Sequence, residues 1–306
     1  MPSGQKILIG PSSFAEKDKR PLETLASAGF QVVDNPFKRK LAKAELLDLL
    51  QKDVVGLIAG LEPLDREVLT RSSLKVISRV GSGMSNVDQA AARELGIAVR
   101  STPDGPTESV AELTLGMMLC VLRMVPQMDG PLHQGAWVKK TGSELAGKTV
   151  AIVGFGRIGR RLAELLTPFR TVTLVVDPFL SGPLPPGCQL VTLDDALGRA
   201  DLISLHASGD ACLVGPEQFA QMKPGVFLFN AARGGVVAED ELLKHLQTGK
   251  VAGAWLDAFS TEPYAGPLRD CPNVILTPHV GSYTAECRSG MEAEAVRNLL
   301  TVLGPH

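Results

Sequence analysis

The sequence predicts an α/β protein built from two doubly wound parallel-sheet domains. Short apolar runs alternate with stretches of helical spacing along almost the whole chain. These runs lack strict alternation with polar residues, which is typical of strands in a parallel sheet that helices cover on both faces. The chain has 306 residues, a length that favours about two domains of ~150 residues each.

The apolar runs recur at the spacing of one strand plus one crossover helix. We predict strands at residues 6–10, 31–33, 54–59, 74–79, 97–100, 149–154, 172–176, 202–205, 226–230, 251–256 and 274–276. Helical spacing is found at residues 20–28, 41–50, 87–94, 107–127, 160–166, 239–246 and 284–303.

Two turn-rich breaks, at residues 101–106 and 276–282, mark the domain boundaries. We expect a discontinuous first domain of residues 1–101 and 284–306, with residues 102–283 inserted into it as a second domain. Two crossing points would form a hinge beside a cleft. The last helix could instead pack on the inserted domain.

Composition and charge exclude several classes. The 31 basic and 33 acidic side chains give a net charge of −2, so we expect neither nucleic acid nor a membrane surface as partner. No apolar run reaches ~18–20 residues, and the start of the chain does not resemble a signal peptide. The five cysteines form no CxxC pair, which favours reduced thiols in the cytoplasm and no metal site.

A strand that ends in Gly-x-Gly-x-x-Gly opens the inserted domain. Gly154, Gly156 and Gly159 are followed by helical spacing, with Arg157 and Ile158 inside the loop. The first glycine permits a tight turn, the second admits a pyrophosphate, and the third allows close packing of helix on strand. Because strand, loop and helix occur in the required order, the motif predicts a dinucleotide site.

Asp177 follows the next predicted strand, 18 residues past Gly159. A carboxylate at this place can accept hydrogen bonds from the ribose hydroxyls and repels a 2′-phosphate. No Arg or Lys follows within ten residues. The sequence therefore predicts NAD rather than NADP as the cofactor; the alternative is a solvated turn aspartate.

Five histidines could serve as the proton-transfer group that a nicotinamide enzyme needs. His245 and the terminal His306 are expected to be solvated, and His133 lies in a polar turn. His206 ends a strand and could line the cofactor groove. His279 follows the strand at 274–276 and is the best candidate for the acid/base.

Two charged residues complete the candidate site. Glu262 follows the strand at 251–256 and is expected within reach of His279, where a carboxylate would steady an imidazolium. Arg233 follows the strand at 226–230 and could bind an acidic substrate. In α/β sheets ligands bind beyond the carboxyl ends of strands, where all three residues are predicted.

The chain resembles the D-isomer-specific 2-hydroxyacid dehydrogenase family, in particular its phosphoglycerate-dehydrogenase-like branch. Residues 79–88, 110–114, the glycine loop with Asp177, and residues 230–235, 257–263 and 277–279 carry the resemblance. It implies a flavodoxin-like substrate domain and an inserted Rossmann cofactor domain. It also implies Arg233 as the substrate clamp, His279 as the acid/base, and Glu262 as the partner that raises its basicity.

Further positions follow from the same resemblance. Asp257 is expected to hold the nicotinamide amide, with Gly281 nearby in the cofactor site. Ser82 and Gly83 are expected to receive the substrate carboxylate. Arg79 and Lys139 resemble positions that serve a phosphate. The chain ends soon after the last predicted helix, so we expect no phosphoglycerate-type regulatory extension.

The expected reaction is the NAD-dependent interconversion of a (R)-2-hydroxy acid and its 2-oxo acid. 3-Phosphoglycerate is one candidate substrate; glyoxylate, hydroxypyruvate and a branched 2-oxo acid are the alternatives. The apolar helix at 107–127 resembles the family's dimer helix and predicts a homodimer. An NAD-binding regulatory protein without turnover, and formate or phosphite oxidation, remain alternatives.

Overall fold

The computed structural model describes residues 4–180, 182–209 and 211–304. The chain divides into two compact units, one within residues 1–106 and 282–306, the other within residues 107–281. Both contain a parallel sheet, so the predicted α/β class with two doubly wound sheets is confirmed.

The first unit has a five-stranded sheet of order β2-β1-β3-β4-β5, which is the flavodoxin-like arrangement. Its strands are β1 Lys6–Ile9, β2 Gln31–Val33, β3 Val54–Ala59, β4 Val76–Arg79 and β5 Ala98–Ser101. Its first four helices are α1 Arg20–Ser27, α2 Lys43–Leu49, α3 Arg66–Arg71 and α4 Gln89–Glu94. Every residue of β3 is buried, as expected of a central strand covered on both faces.

The second unit has a seven-stranded sheet of order β12-β11-β10-β9-β6-β7-β8, the Rossmann order with one strand added. The strands are β6 Thr149–Val153, β7 Val172–Val176, β8 Cys188–Leu190, β9 Leu202–Leu205, β10 Val226–Asn230, β11 Val251–Leu256 and β12 Val274–Leu276. The helices are α5 Pro106–Leu122, α6 Pro126–His133, α7 Arg157–Leu166, α8 Leu193–Arg199, α9 Pro216–Gln221 and α10 Glu239–Gln247. Short 3₁₀ turns lie at Thr167–Phe169, Gly234–Val236 and Pro267–Asp270.

The last helix, α11 Ala285–Leu303, packs on the first unit against β3, β4 and β5. Thr284 caps its start by accepting a hydrogen bond from the backbone N–H of Cys287. Met291, Ala295 and Leu299 form its buried face. The helix thus belongs to the five-stranded unit, although the 175 residues of the second unit, 107–281, are inserted before it in the chain.

The sequence-based assignments placed the end of one helix wrongly and gave no range for β8, α3, α6, α8 and α9. The predicted helix at 107–127 ends at Leu122, because Met124 takes a left-handed backbone conformation with φ 52°. The edge strand β8 was missed because its side chains are largely exposed and carry no apolar run. The six-residue helix α3 was missed because it is too short to show a helical period.

Among the described residues, no single helix is long and apolar enough to cross a membrane. The pair α5 and α6 meets the length and composition criteria only when taken together, and a bend of 72° separates the two helices. The same part of the chain shows no group of three or more His, Cys, Asp or Glu side chains that could hold a metal ion.

Candidate active site

The carboxyl ends of six strands of the second unit form one continuous row. Parallel pairing places Val176, Val153, Leu205, Asn230, Leu256 and Leu276 in register across β7, β6, β9, β10, β11 and β12. Adjacent strands lie ~4.8 Å apart. Six predicted site residues follow these ends within one to three positions, and the register brings them to one edge of the sheet: Gly154, Asp177, His206, Arg233, Asp257 and His279. Glu262 follows Leu256 by six positions.

The glycine loop begins where β6 ends. Gly154 has φ +92°, and a Cβ there would lie 2.5 Å from the backbone nitrogen of Ala207, so only glycine fits. A Cβ at Gly159 would overlap the carbonyl oxygen of Gly154, which explains the close packing of α7 on β6. Gly156 caps α7, and apart from its own atoms and those of its two chain neighbours no described atom lies within 4 Å of the place its Cβ would take.

Asp177, which directly follows β7, binds the glycine loop through a hydrogen bond. Its Oδ2 accepts a hydrogen bond of 2.8 Å from the backbone N–H of Phe155, inside the glycine loop. Its Oδ1 accepts one of 2.9 Å from the N–H of Phe179. The carboxylate is therefore fixed beside the loop, in the position from which it can also accept from ribose hydroxyls.

These features fit a dinucleotide. Space is open at Gly156, and α7 begins directly after it with Arg157 and Ile158 in its first turn. A phosphate group at Gly156 would lie at the amino-terminal end of that helix. Asp177 supplies an acceptor on the adenosine side.

His206 lies beneath the loop. A Cβ at Gly154 would contact the carbonyl carbon of His206. The Nε2 atom of His206 lies 2.8 Å from Oγ of Ser204. Nδ1 is buried and has no hydrogen-bond partner among the described residues. Burial lowers the pKa of His206 to about 4, because a charged imidazolium would lose its hydration there. The ring is therefore neutral near pH 7.

His279 and Glu262 form a pair. Nδ1 of His279 lies 3.1 Å and 3.0 Å from the two carboxylate oxygens of Glu262, and each side chain is about one-third exposed, 38% and 35%. Glu262 also accepts a hydrogen bond of 3.1 Å from the N–H of Phe259. Because a carboxylate accepts hydrogen bonds, this geometry places a proton on Nδ1 and leaves Nε2 outside the pair.

Asp257 holds the loop that carries His279. Asp257 is 4% exposed. Its carboxyl group accepts hydrogen bonds from Oγ1 of Thr277 at 2.6 Å, from the N–H of Val280 at 2.9 Å and from the N–H of Gly281 at 2.8 Å. Trp255 donates to the same Thr277 hydroxyl at 2.9 Å. Asp257 thus has a structural task that the sequence did not reveal. Its predicted contact with the nicotinamide stays a prediction.

Arg233 lies on a loop that is fixed at both ends. Buried Asn230 donates from Nδ2 to the carbonyl of Arg233 at 2.9 Å and accepts from the N–H of Ala232 at 3.1 Å. A Cβ at Gly234 would overlap the backbone of Phe259 and Ser260. The glycine thereby lets the Arg233 loop press against the loop that leads to Glu262.

Sequence reasoning missed the anchoring roles of Asn230 and Thr277. A polar residue at the end of an otherwise apolar strand was the available signal for Asn230. One expectation was wrong: His245 is half-buried rather than solvated, because its ring stacks on Phe219 at a centroid distance of 4.8 Å. His133 is exposed at the end of α6. His306 lies outside the described residues.

The residues predicted to bind the substrate carboxylate and tail lie outside the strand-end row described above. Arg79 is the last residue of β4 in the first unit and is half-buried, whereas Ser82 is exposed and Gly83 half-buried in the following turn. Lys139 is exposed on a stretch without regular secondary structure that follows α6 in the second unit.

The fold and the glycine loop define a dinucleotide-binding protein of the Rossmann class. Residues 115–281 match the family model described as "D-isomer specific 2-hydroxyacid dehydrogenase, NAD binding domain". The chain belongs to this family, and the prediction of NAD as the cofactor is confirmed.

Relatives and solved structures agree with this assignment. The chain is 40% identical over 295 residues to human D-3-phosphoglycerate dehydrogenase, covering 93% of this chain and 54% of that protein. It is 38% identical over 296 residues to the Mycobacterium tuberculosis enzyme of the same name, covering 92% and 55%. The chain thus spans about half the length of these curated relatives. A glyoxylate reductase structure from Paecilomyes thermophila superposes with a TM-score of 0.87 at 29% identity, covering 99% of this chain and 96% of that one.

Proposed function

We propose that the protein is an NAD-dependent oxidoreductase that interconverts a (R)-2-hydroxy acid and its 2-oxo acid. The observation that carries the proposal is the 3.0 Å pair of His279 and Glu262 at the sheet edge that also carries the glycine loop. Family membership supports it, because the matched model is the NAD-binding domain of D-isomer-specific 2-hydroxyacid dehydrogenases.

His279 acts as the acid/base. Glu262 fixes the ring with a proton on Nδ1, so Nε2 can take the hydroxyl proton as the alcohol is oxidised and return it during reduction. The carboxylate also stabilises the imidazolium that forms. Bound NAD supplies the acceptor for the hydride that leaves C2 of the substrate.

Arg233 binds the substrate carboxylate and stabilises negative charge on the reacting oxygen. A guanidinium suits this task because its planar set of N–H donors matches two oxygens at once. Asn230 fixes the Arg233 backbone through two hydrogen bonds. The clamp is therefore positioned before substrate arrives, which reduces the reorganisation needed in the transition state.

In this proposal the pyrophosphate of the cofactor binds to the glycine loop and the start of α7, that is, to Gly154, Gly156, Arg157, Ile158 and Gly159. Asp177 binds the adenosine ribose. His206, Asp257 and Gly281 line the rest of the cofactor site. Arg79, Ser82, Gly83 and Lys139 bind the substrate carboxylate and tail. The substrate is either 3-phosphoglycerate, the compound in the name of the human relative, or an unphosphorylated acid such as the one in the name of the glyoxylate reductase.

We also propose that the chain forms a homodimer through α5 and the segment that follows it. Along α5, Leu113, Leu115, Met117 and Leu119 are only partly buried by the core of their own unit. After the helix, large apolar side chains are exposed, among them Leu132 at 54% and Trp137 at 79%. Exposed large apolar side chains concentrated in one segment of a chain favour an interaction site there.

Oxidation of NADH in the presence of a panel of 2-oxo acids tests the function. The panel contains glyoxylate, hydroxypyruvate, 3-phosphohydroxypyruvate and a branched 2-oxo acid. We expect consumption of NADH with at least one of them and formation of the (R)-hydroxy acid. A protein that binds NADH and turns over none of these acids at micromolar concentration would contradict the proposal and favour a regulatory role.

A further inference from the structure

The loop that carries Glu262 is largely exposed. It runs from Phe259 to Tyr264 after the end of β11, and residues 260–263 are exposed. Phe259 is buried at one end of the loop, and its ring stacks on that of Tyr264 at a centroid distance of 4.4 Å. A segment with so little burial between its ends takes its shape from a few individual hydrogen bonds.

Glu239, the first residue of α10, binds this 259–264 loop from outside. Its Oε1 accepts a hydrogen bond of 2.7 Å from the backbone N–H of Ser260, two residues before Glu262. Among the described residues, Glu239 is the only one outside the loop whose side chain forms a hydrogen bond with residues 259–261. A backbone N–H that donates to a carboxylate forms one of the stronger hydrogen bonds in a protein.

A second contact joins the same two parts of the chain. Gly234 directly follows Arg233, and a Cβ there would overlap the backbone of Phe259 and Ser260. After the 3₁₀ turn that begins at Gly234, α10 starts at Glu239. The segment from Arg233 to Glu239 therefore meets the 259–264 loop at two places.

A simpler explanation for Glu239 is a favourable negative charge at the start of a helix. Asp240 and Glu241 share the first turn of α10 with it. Asp240 is exposed, and Glu241 forms an ion pair with Lys244 within the helix. Of these three acidic residues, Glu239 is the one that forms a hydrogen bond with the 259–264 loop, so the charge alone does not explain its contact.

We propose that Glu239 is a positioning residue for the acid/base pair: by holding the backbone at Ser260, it keeps the carboxylate of Glu262 within hydrogen-bond reach of His279. The inference rests on the proposed function, because that function assigns the proton transfer to His279. Glu239 acts only through Glu262 and contacts no reacting atom.

The physical reason lies in what each hydrogen bond connects. A carboxylate stabilises an imidazolium at 3.0 Å much better than at a longer distance. The bond between Phe259 and Glu262 lies inside the loop, so it does not fix the loop to the rest of the unit. The bond from Ser260 to Glu239 does, because α10 packs on β11 through its buried face.

Two substitutions separate the reach of the side chain from its charge. Glu239→Asp keeps the charge and shortens the side chain by one methylene group, which weakens the bond to Ser260. Glu239→Gln removes the charge and keeps an oxygen at the same reach. With the best 2-oxo acid we expect kcat to fall ~10-fold in Glu239→Asp while KM stays within ~3-fold, and both values to stay within ~3-fold of wild type in Glu239→Gln.

Asp240→Asn is the matched control, because it removes a charge from an exposed position of the same helical turn. It should change neither kcat nor KM. Wild-type turnover in Glu239→Asp would overturn the inference. A loss in Glu239→Gln that exceeds the loss in Glu239→Asp would also overturn it, since the charge at the helix start would then be the cause.

A double-mutant cycle tests whether Glu239 acts through Glu262. In a Glu262→Gln background the carboxylate that Glu239 positions is already absent. Glu239→Asp should therefore lower kcat by less than a further ~3-fold there. A full second ~10-fold loss would show that Glu239 acts independently of Glu262 and would overturn the inference.

An NMR titration of the His279 ring needs no turnover, and His279→Gln identifies its signals. A displaced carboxylate stabilises the imidazolium less, so we expect the ring to release its proton at a pH lower by at least ~0.5 in Glu239→Asp than in wild type or Glu239→Gln. Equal titration midpoints in the three proteins would overturn the inference. A protein that reduces no 2-oxo acid and yet shows this difference would contradict only the proposed function.

Discussion

The imidazole of His279 lies 3.0 Å from the carboxylate of Glu262, although 17 residues separate them in sequence. Pairing of β11 with β12 places Leu256 opposite Leu276. Glu262 follows the first of these strand ends in the chain, and His279 follows the second. The loop of Glu262 is anchored by Phe259, and that of His279 by Asp257 through three hydrogen bonds to residues 277–281. The contact between His279 and Glu262 is therefore formed by two loops, each of which is held in place by its own hydrogen bonds.

Glu262→Gln should reduce kcat/KM ~10- to 10³-fold, because the amide cannot stabilise an imidazolium as a carboxylate does. The amide oxygen can still accept from the N–H of Phe259, so the loop should survive. Steady-state kinetics with the best 2-oxo acid, together with the Kd for NADH, checks this. Glu217→Gln, at an exposed position of α9, is the matched control. A Glu262→Gln protein with wild-type turnover would show that the pair has only a structural role.

Asp177→Ala should lower the preference for NAD over NADP by at least ~10-fold, since the carboxylate that repels a 2′-phosphate is lost. The same change removes the acceptor for Phe155 in the glycine loop, so binding of both cofactors should weaken to some extent. The ratio of the two Kd values is therefore the informative quantity. Asp194→Asn, exposed on α8, should leave the ratio unchanged, and an unchanged ratio in Asp177→Ala would refute the assignment.

His206 should make the protein less stable in acid. Its pKa is about 4 in the folded state and ~6.5 when unfolded. Between these values the unfolded chain binds more protons, so the free energy of unfolding falls as the pH drops from ~6.5 to ~4, by about 2–3 kcal/mol at most from this residue. Above pH ~7 the residue contributes no pH dependence.

His206→Gln removes this proton linkage and keeps a polar group near Ser204. Urea unfolding of the wild-type and variant proteins between pH 7.5 and 4.5 measures the effect. We expect the variant to lose less stability than wild type as the pH falls. Parallel stability curves for the two proteins would show that the buried imidazole is not the group concerned.

Trp137→Glu should weaken the proposed homodimer, because a charge would be placed on exposed apolar surface that a partner covers. Light scattering at micromolar protein should show a dimer for wild type and a lower mass for the variant. Phe37→Glu, which changes an exposed aromatic residue of the first unit, is the control and should remain dimeric. A monomeric wild-type protein would contradict the proposal.

Much of the fold could be predicted because core strands carry a strong signal. Both β10 and β11 lie where continuous apolar runs predicted them, since a strand buried on two faces needs apolar residues at nearly every position. The end of α5 could not be predicted as easily. Met124 takes a left-handed conformation that its residue type does not favour, and only Pro126 signals a break nearby.

Part of the candidate site could be predicted because the sheet positions the residues at its strand ends. Residues that directly follow strand ends, such as Asp177 and His279, are positioned by the sheet and could be found from sequence. The anchoring contacts of Asp257 with residues 277–281 could not, because they join parts of the chain that lie 20 to 24 positions apart in sequence. The cytoplasmic location stays a prediction.

The central claim is that His279 and Arg233 carry the chemistry while the glycine loop holds the cofactor. Kinetics of His279→Gln and Arg233→Ala, each combined with a titration of NADH, test it most directly, with His133→Gln on the exposed end of α6 as the control. We expect kcat/KM to fall ~10²- to 10⁴-fold in both variants while the Kd for NADH changes less than ~3-fold. Turnover within ~3-fold of wild type in either variant would contradict the account.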